Sequence, residues 1–140
     1  MSIESIQNSL LKLNKCAMEG LESEIKSEFR EIFHEYPDLD SFSWVQYTDY
    51  FNDGDVCNFN VHCSPEYGLE INGGGEESYV IEDENLIYKE GSEWVERAFI
   101  AISELLETIS SEYMKNIYGD HIKVVVSRNL EIIKEHYDHD

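Results

Sequence analysis

Across the first third of the chain, apolar residues recur at steps of three and four: Ile3, Ile6, Leu10, Leu13, Ala17, Leu21, Ile25, Phe29, Ile32 and Tyr36. Steps of that size return to the same side of an α-helix, so the spacing predicts one long amphipathic helix. Ser2 is placed to cap its start. Pro37 ends it, because the residue before a proline is driven out of helical geometry. Unbroken, such a helix would reach roughly 50 Å, whereas a compact body of this chain length is only roughly 30 Å across. Either the helix breaks near Gly20, or it projects and packs against a second copy. Its apolar stripe is narrow near the start, as suits a partner helix. It broadens around Phe29, Ile32 and Phe33, as suits a core.

After Pro37 the period changes from helical to alternating. Residues 42–51 are rich in aromatic and β-branched side chains, Asn52-Asp53-Gly54-Asp55 is turn chemistry, and 56–63 alternates again. That pattern predicts a β-hairpin. In its second strand Cys57, Phe59, Val61 and Cys63 share one face, and Asn58, Asn60 and His62 the other. In the first strand Trp44 and Tyr50 fall opposite Val45, Tyr47 and Phe51, and a one-residue change of turn register would reverse the faces. Tyr67, Leu69 and Ile71 form a short third strand before Gly73-Gly74-Gly75. Residues 76–91 hold apolar islands around the acidic turn Glu82-Asp83-Glu84-Asn85, read as a loop or a weak hairpin.

A second long helix is expected from Ser92, a good N-cap, to Gly119, a natural C-terminal cap. Glu93 and Glu96 suit the positive end of its dipole. Its apolar face is Trp94, Val95, Ala98, Phe99, Ile102, Leu105, Leu106, Ile109, Tyr113 and Ile117. A strand over 121–126 follows. Residues 130–137, after the turn Ser127-Arg128-Asn129, read as a last strand because Leu130 and Ile132 alternate. The sum is a single α+β domain over residues 1–140, an antiparallel sheet of hairpins packed against two long helices.

Charge decides which partners suit such a domain. Thirty acids against ten bases give a formal net charge of −20 and a pI near 4.4. A body so charged is destabilised by self-repulsion, and nucleic acid and anionic membranes repel it. It is drawn to basic surfaces, or it carries acid only for solubility. No stretch is apolar enough to span a bilayer. The amphipathic N-terminus lacks the apolar run of a secretory signal. Three cysteines, Cys16, Cys57 and Cys63, are an odd number, which fits reduced thiols in a cytoplasm.

No motif points to catalysis. Aligning Gly54 with the glycine of a calcium loop puts Phe51 and Asn60 where oxygen ligands belong, which rules out an EF-hand. A looser cation site at Asp53 and Asp55 is the residual form, with an ordinary hairpin turn favoured over it. Cys57 and Cys63, six residues apart on one strand, stand roughly 20 Å from each other, too far to bridge. The triple glycine lacks the lysine and hydroxyl of a phosphate loop and is followed by Glu76 and Glu77. His136, Asp138, His139 and Asp140 are ligand types on a terminal segment, where metal affinity would be adventitious. No metal, no cofactor and no catalytic residue is therefore expected. The expected binding residues are the acidic Glu76, Glu77, Glu82, Asp83, Glu84, Asp53 and Asp55, and the aromatic Trp44, Tyr47 and Tyr50. Glutamates 19, 22, 24, 28, 31 and 35 on the first helix, and 104, 107 and 112 on the second, extend the acidic array.

The block Trp44-Val-Gln46-Tyr47-Thr48-Asp-Tyr50-Phe51-Asn52-Asp53-Gly54-Asp55-Val-Cys57-Asn-Phe59 resembles a stretch of uncharacterised small acidic proteins of tailed bacteriophages. So does Tyr118-Gly119-Asp120-His121, followed by alternating valines and the tail Tyr137-Asp138-His139-Asp140. Asp49 stands where those proteins usually carry proline, so the strand end is expected to differ in shape. The resemblance implies a setting, the cytoplasm of a bacterial host, and no residue-level activity. It suggests an accessory protein that inhibits a host protein, a defence protein included. Carboxylates on a rigid scaffold would then imitate nucleic acid in a basic groove. The alternative is a small-molecule or peptide-binding module that uses the aromatic hairpin, its acidity incidental.

Overall fold

The computed structural model describes residues 3–50, 54, 56–65, 68–73, 79–82, 85–88 and 93–138; for 79–82 and 85–88 it describes the backbone alone. Helix α1 (Ile3–Glu35) is unbroken for 33 residues. Gly20 lies inside it without interrupting it, so of the two expectations the helix takes projection rather than breakage. Residues 3–17 are exposed throughout. Met18 and Leu21 are half-buried, and burial becomes complete at Ile25, Phe29, Ile32 and Phe33. The helix ends before Pro37, with Tyr36 N–H donating to the Ile32 carbonyl at 3.0 Å and Leu39 N–H to that of Tyr36 at 3.0 Å.

Strand β1 (Ser41–Thr48) is the axis of an all-antiparallel five-stranded sheet. Along one edge it pairs with β2 (Phe59–His62), through Thr48↔Phe59 and Val45↔His62, and with β3 (Glu70–Ile71), through Phe42↔Ile71. Along the other it pairs with β6 (Ile122–Ser127), and β7 (Ile132–His136) closes that side. A separate two-stranded hairpin joins β4 (Tyr79–Glu82) to β5 (Asn85–Tyr88) in the register Glu82↔Asn85, and β5 runs beside the following helix. Of the two readings of 76–91, the hairpin is the one observed.

Directly paired residues share a face. Phe42, Trp44, Gln46, Val61, Ile71, Val124 and Val126 therefore form one face, which we call inner. There Phe42, Trp44, Ile71, Val124 and Val126 pack with Phe29 and Phe33 of α1. The Phe29 and Phe42 rings meet edge-on at 5.2 Å, and Trp44 meets Tyr118 edge-on at 5.3 Å. Burying each such ring contributes about 1.5–3 kcal/mol. Gln46 is the polar member of the stripe. It accepts from Trp44 Nε1 at 2.9 Å and donates to the carbonyls of Met114 at 2.9 Å and Gly119 at 2.7 Å. Every polar atom of its amide is thus used, which is why it is stable at 0% exposure.

The second helical region departs from expectation. It forms two helices, α2 (Glu93–Thr108) and α3 (Ser111–Tyr118), where one was expected. Thr108 Oγ1 donates back to the Glu104 carbonyl at 2.7 Å, competing with the helical ladder. Ser110 then takes the extended geometry of an N-cap, φ −55° and ψ 137°. The break resets the helical phase. Met114 and Tyr118 turn into the core, and Tyr113, expected on the apolar face, is 48% exposed. The expected cap Ser92 lies outside the described residues. The first hairpin is also shorter than expected. Pairing ends at Thr48↔Phe59, and the described residues 49, 50, 54 and 56–58, Cys57 and Asn58 among them, are not in a strand. Val56 at 79% exposure shows why: extending the ladder would bury nothing there.

Three side-chain and backbone devices hold the layers in register. Arg128, in the β6–β7 turn, reaches the carbonyls of Phe33 at 2.8 Å, Tyr36 at 2.7 Å, Pro37 at 2.9 Å and Leu39, and lies over the Phe33 ring at 5.4 Å. The Phe33 carbonyl is one that α1 leaves unsatisfied at its C-terminus, and the other three belong to the chain that follows the helix. Asn72, at φ 55°, accepts from the N–H groups of Asp40 and Ser41 and donates to the Asp38 carbonyl, fixing the start of β1. Gly68 lets the chain cross the outer face of the sheet, since a Cβ there would stand 2.5 Å from Val45 Cγ2. No helix among the described residues is long and apolar enough to cross a membrane.

Candidate functional site

The aromatic residues expected to bind a partner separate into two environments. Trp44 points inward and is 0% exposed. It occupies the core, not the wall of a pocket, because even numbers in β1 face the helices. Tyr47 points outward, and Tyr50 follows the strand at 58% exposure. Tyr47 stacks on His62 of β2 at 4.3 Å and on Tyr137, just past β7, at 5.8 Å. Tyr50 stacks on His121, which leads into β6, at 4.8 Å and an interplanar angle of 11°. Four stretches of chain thus place two phenol–imidazole pairs and a third tyrosine at one end of the outer face.

Asp120, next to His121, adjoins this patch. Its carboxylate accepts Thr48 N–H at 2.8 Å, Thr48 Oγ1–H at 2.7 Å and His121 N–H at 2.9 Å, and it lies 3.8 Å from Lys115 Nζ. It takes over from the backbone ladder where β1 runs beyond β6. Burial works against its ionisation, but the bonds from Thr48 and His121 outweigh that and hold the carboxyl below its ordinary range. The Tyr47 phenol is pushed up, first by burial, then by Tyr137 and by the negative charge of Asp49. Rings bordered by Asp49 and Asp120 offer π faces and negative charge together. Guanidinium groups favour that combination.

The acidic residues form a second, larger feature on the helices. Glu19, Glu24, Glu28, Glu31 and Glu35 are exposed along α1, Glu93, Glu96, Glu104 and Glu107 along α2, and Glu112 on α3; Glu22 is half-buried. Among the described residues only Glu70, Asp120 and Asp138 reach a basic nitrogen: Glu70 pairs with Lys123 at 3.3 Å and Asp138 with His136 at 2.8 Å. Most of the remaining described carboxylates are exposed. Of the central acidic loop, Glu82 ends β4, and its side chain is not described. Glu76, Glu77, Asp83, Glu84, Asp53 and Asp55 lie outside the described residues.

His62, His121 and Tyr137 are the members of the patch that the sequence did not single out as binding residues. Alternation puts His62 on the polar face of its strand, but only the register Val45↔His62 brings it diagonally onto Tyr47. Cys63 Sγ lies 3.8 Å from Glu107 Oε1, and burial pushes its thiol up, the signature of an inert packing cysteine. Among the described residues no three His, Cys, Asp or Glu side chains group as a metal site. A cavity of about 290 Å³ opens between the end of α1 and the start of α2, lined by Tyr36, Trp94 and Arg97 among others. Comparison with protein-family models, with curated proteins and with solved structures finds no match for this chain.

Proposed function

We propose that this protein works by binding rather than catalysis, presenting carboxylates to a cationic, nucleic-acid-binding surface on a host protein and so blocking it. The observation that supports this reading is uncompensated charge. With 30 acids to ten bases, most described carboxylates have no basic partner, and Arg128 is consumed by backbone carbonyls. Rigid helices hold the acids of α1, α2 and α3 in fixed array, which a solubilising tail would not. Tyr47, Tyr50 and their imidazole neighbours add a patch suited to arginine at the end of the sheet. The acidic residues Glu76, Glu77, Glu82, Asp83, Glu84, Asp53 and Asp55 are assigned the same partner-binding role in this proposal. A tailed bacteriophage is the setting that the two resembling blocks suggest, and the bacterial cytoplasm the place of action.

The test is capture from a bacterial lysate at low and then high salt, with duplex DNA as competitor. A target that DNA displaces, that salt elutes, and that is lost with E82Q/D83N/E84Q supports the proposal. Binding indifferent to salt, to DNA and to neutralisation sinks it. The stacked pairs Tyr47–His62 and Tyr50–His121 favour a second reading, a small-molecule or peptide site at the hairpin. It requires thermal stabilisation by a small ligand, abolished by Y50A and unchanged by neutralising the acids.

A further inference from the structure

The first half of α1 is an exposed apolar helix on an acidic molecule. Ile3 is 77% exposed, Ile6 47%, Leu10 54% and Leu13 66%. Surface helices normally turn their apolar side to a core; here residues 3–17 have none. The spacing of the apolar residues changes where exposure ends. Ile3, Ile6, Leu10, Leu13 and Ala17 follow strict steps of three and four, the pattern of a helix-to-helix seam. From Ala17 to Leu21, Ile25 and Phe29 the step becomes four throughout, and burial starts just past Ala17, with Met18 and Leu21 half-buried. One helix thus carries two faces with different purposes, joined at residue 17.

Charge names the occupant of the first face. Residues 1–18 contain Glu4, Lys12 and Lys15, one acid against two bases, leaving 29 acids and eight bases for residues 19–140. The positions that flank the seam, Gln7, Ser9, Asn14 and Cys16, are all uncharged. Over most of its surface a second copy of this chain would meet acid with acid. Along this stretch it would not. Orientation follows from the same charges. A parallel pair would set two strongly anionic bodies side by side and align Glu19 and Glu22 with their own copies. An antiparallel pair places the bodies at opposite ends of a shared segment about 22 Å long. That is two to three Debye lengths at physiological salt, enough to screen most of the repulsion.

We infer that residues 3–17 of two copies pack as an antiparallel helix pair, making the protein a homodimer with its acidic bodies at opposite ends. This inference is independent of the proposed function. Salt separates them, since it strengthens the dimer by screening the two bodies while weakening capture of a cationic target.

Sedimentation equilibrium of the full chain over about 1–200 µM, at low and high salt, tests the inference. The expected mass rises with concentration towards twice 16.3 kDa, and association tightens with salt. L10Q/L13Q, at two exposed positions, is expected to weaken association at least tenfold with an unchanged circular dichroism spectrum. Under mild oxidation of a C57S/C63S background, the Cys16 thiols of two copies stay apart in the antiparallel dimer. A monomer at every concentration and salt overturns the inference, whether or not the helix then binds lipid vesicles. So does a dimer untouched by L10Q/L13Q. A disulfide joining two Cys16 residues overturns the antiparallel arrangement.

Discussion

Arg128 satisfies the end of α1 from a turn that lies 92 residues further on than Tyr36, one of its acceptors. A charged hydrogen bond contributes about 1.5–3 kcal/mol, so R128A is expected to lower unfolding stability by about 2 kcal/mol, read as a fall in the urea midpoint at unchanged m-value. R128K should recover only part of it, because an ammonium cannot span carbonyls set in a fork. Asp120 makes its contribution through ionisation. Its folded pKa lies below the unfolded value of about 3.9. Its stabilisation is therefore complete above that value and is lost as pH falls through the lower folded pKa. D120A should cost about 2 kcal/mol at neutral pH, and the gap to the parent should narrow when both are measured near pH 3. A gap that stays constant with pH would mean that the carboxylate acts by shape alone. Neither role was legible in the sequence. Arg128 and Asp120 each sit in a short turn, and only the tertiary approach of α1 to one and of β1 to the other gives them work.

At the scale of elements, what the sequence made legible follows from local periodicity, and what it hid follows from contacts between distant segments. The long run of threes and fours gave α1 its length, and Pro37 its end, because both are short-range effects. The division between α2 and α3 was concealed because Ser110 and Ser111 fit the polar side of a continuous amphipathic pattern as well as they fit a break. The inner face of β1 was concealed by Gln46, a polar side chain in an apolar stripe whose partners lie on α3 and at Gly119. The candidate site suffered most from this. Trp44 and Tyr47 are close in sequence and on opposite faces, so the hairpin could be recognised without its binding side. Helix α1 itself yields an expectation. Since its first 15 described residues have no core contact, deleting 3–17 should leave the melting temperature of dilute protein within about 2 °C of the parent, a shift worth well under 1 kcal/mol. A larger loss would show that the projecting half supports the body.

For the molecule as a whole, unpaired carboxylates are a cost as well as a means of recognition. At a net charge of −20 the folded body confines like charges that the unfolded chain would spread apart. The ion pairs among described residues are few and partly exposed, and pairs of that kind contribute about 0–1 kcal/mol each. They do not offset repulsion distributed over the helices. Screening should. Raising ionic strength from about 0.01 M to about 1 M shortens the Debye length from about 30 Å to about 3 Å, which shields one helix from the next. If relief of repulsion amounts to about 1–2 kcal/mol, the melting temperature rises by roughly 3–8 °C for a chain of this length. Sodium and potassium chloride should act alike, because the effect depends on ionic strength and not on a specific site. Neutralising Glu24, Glu28 and Glu31 together to glutamine should raise the melting point at low salt and change it little at high salt, since the same repulsion is removed only once. A melting temperature that stays flat across that range would mean that the acids are too well solvated to repel, and a surface so relaxed would have little free energy to gain from meeting a cation.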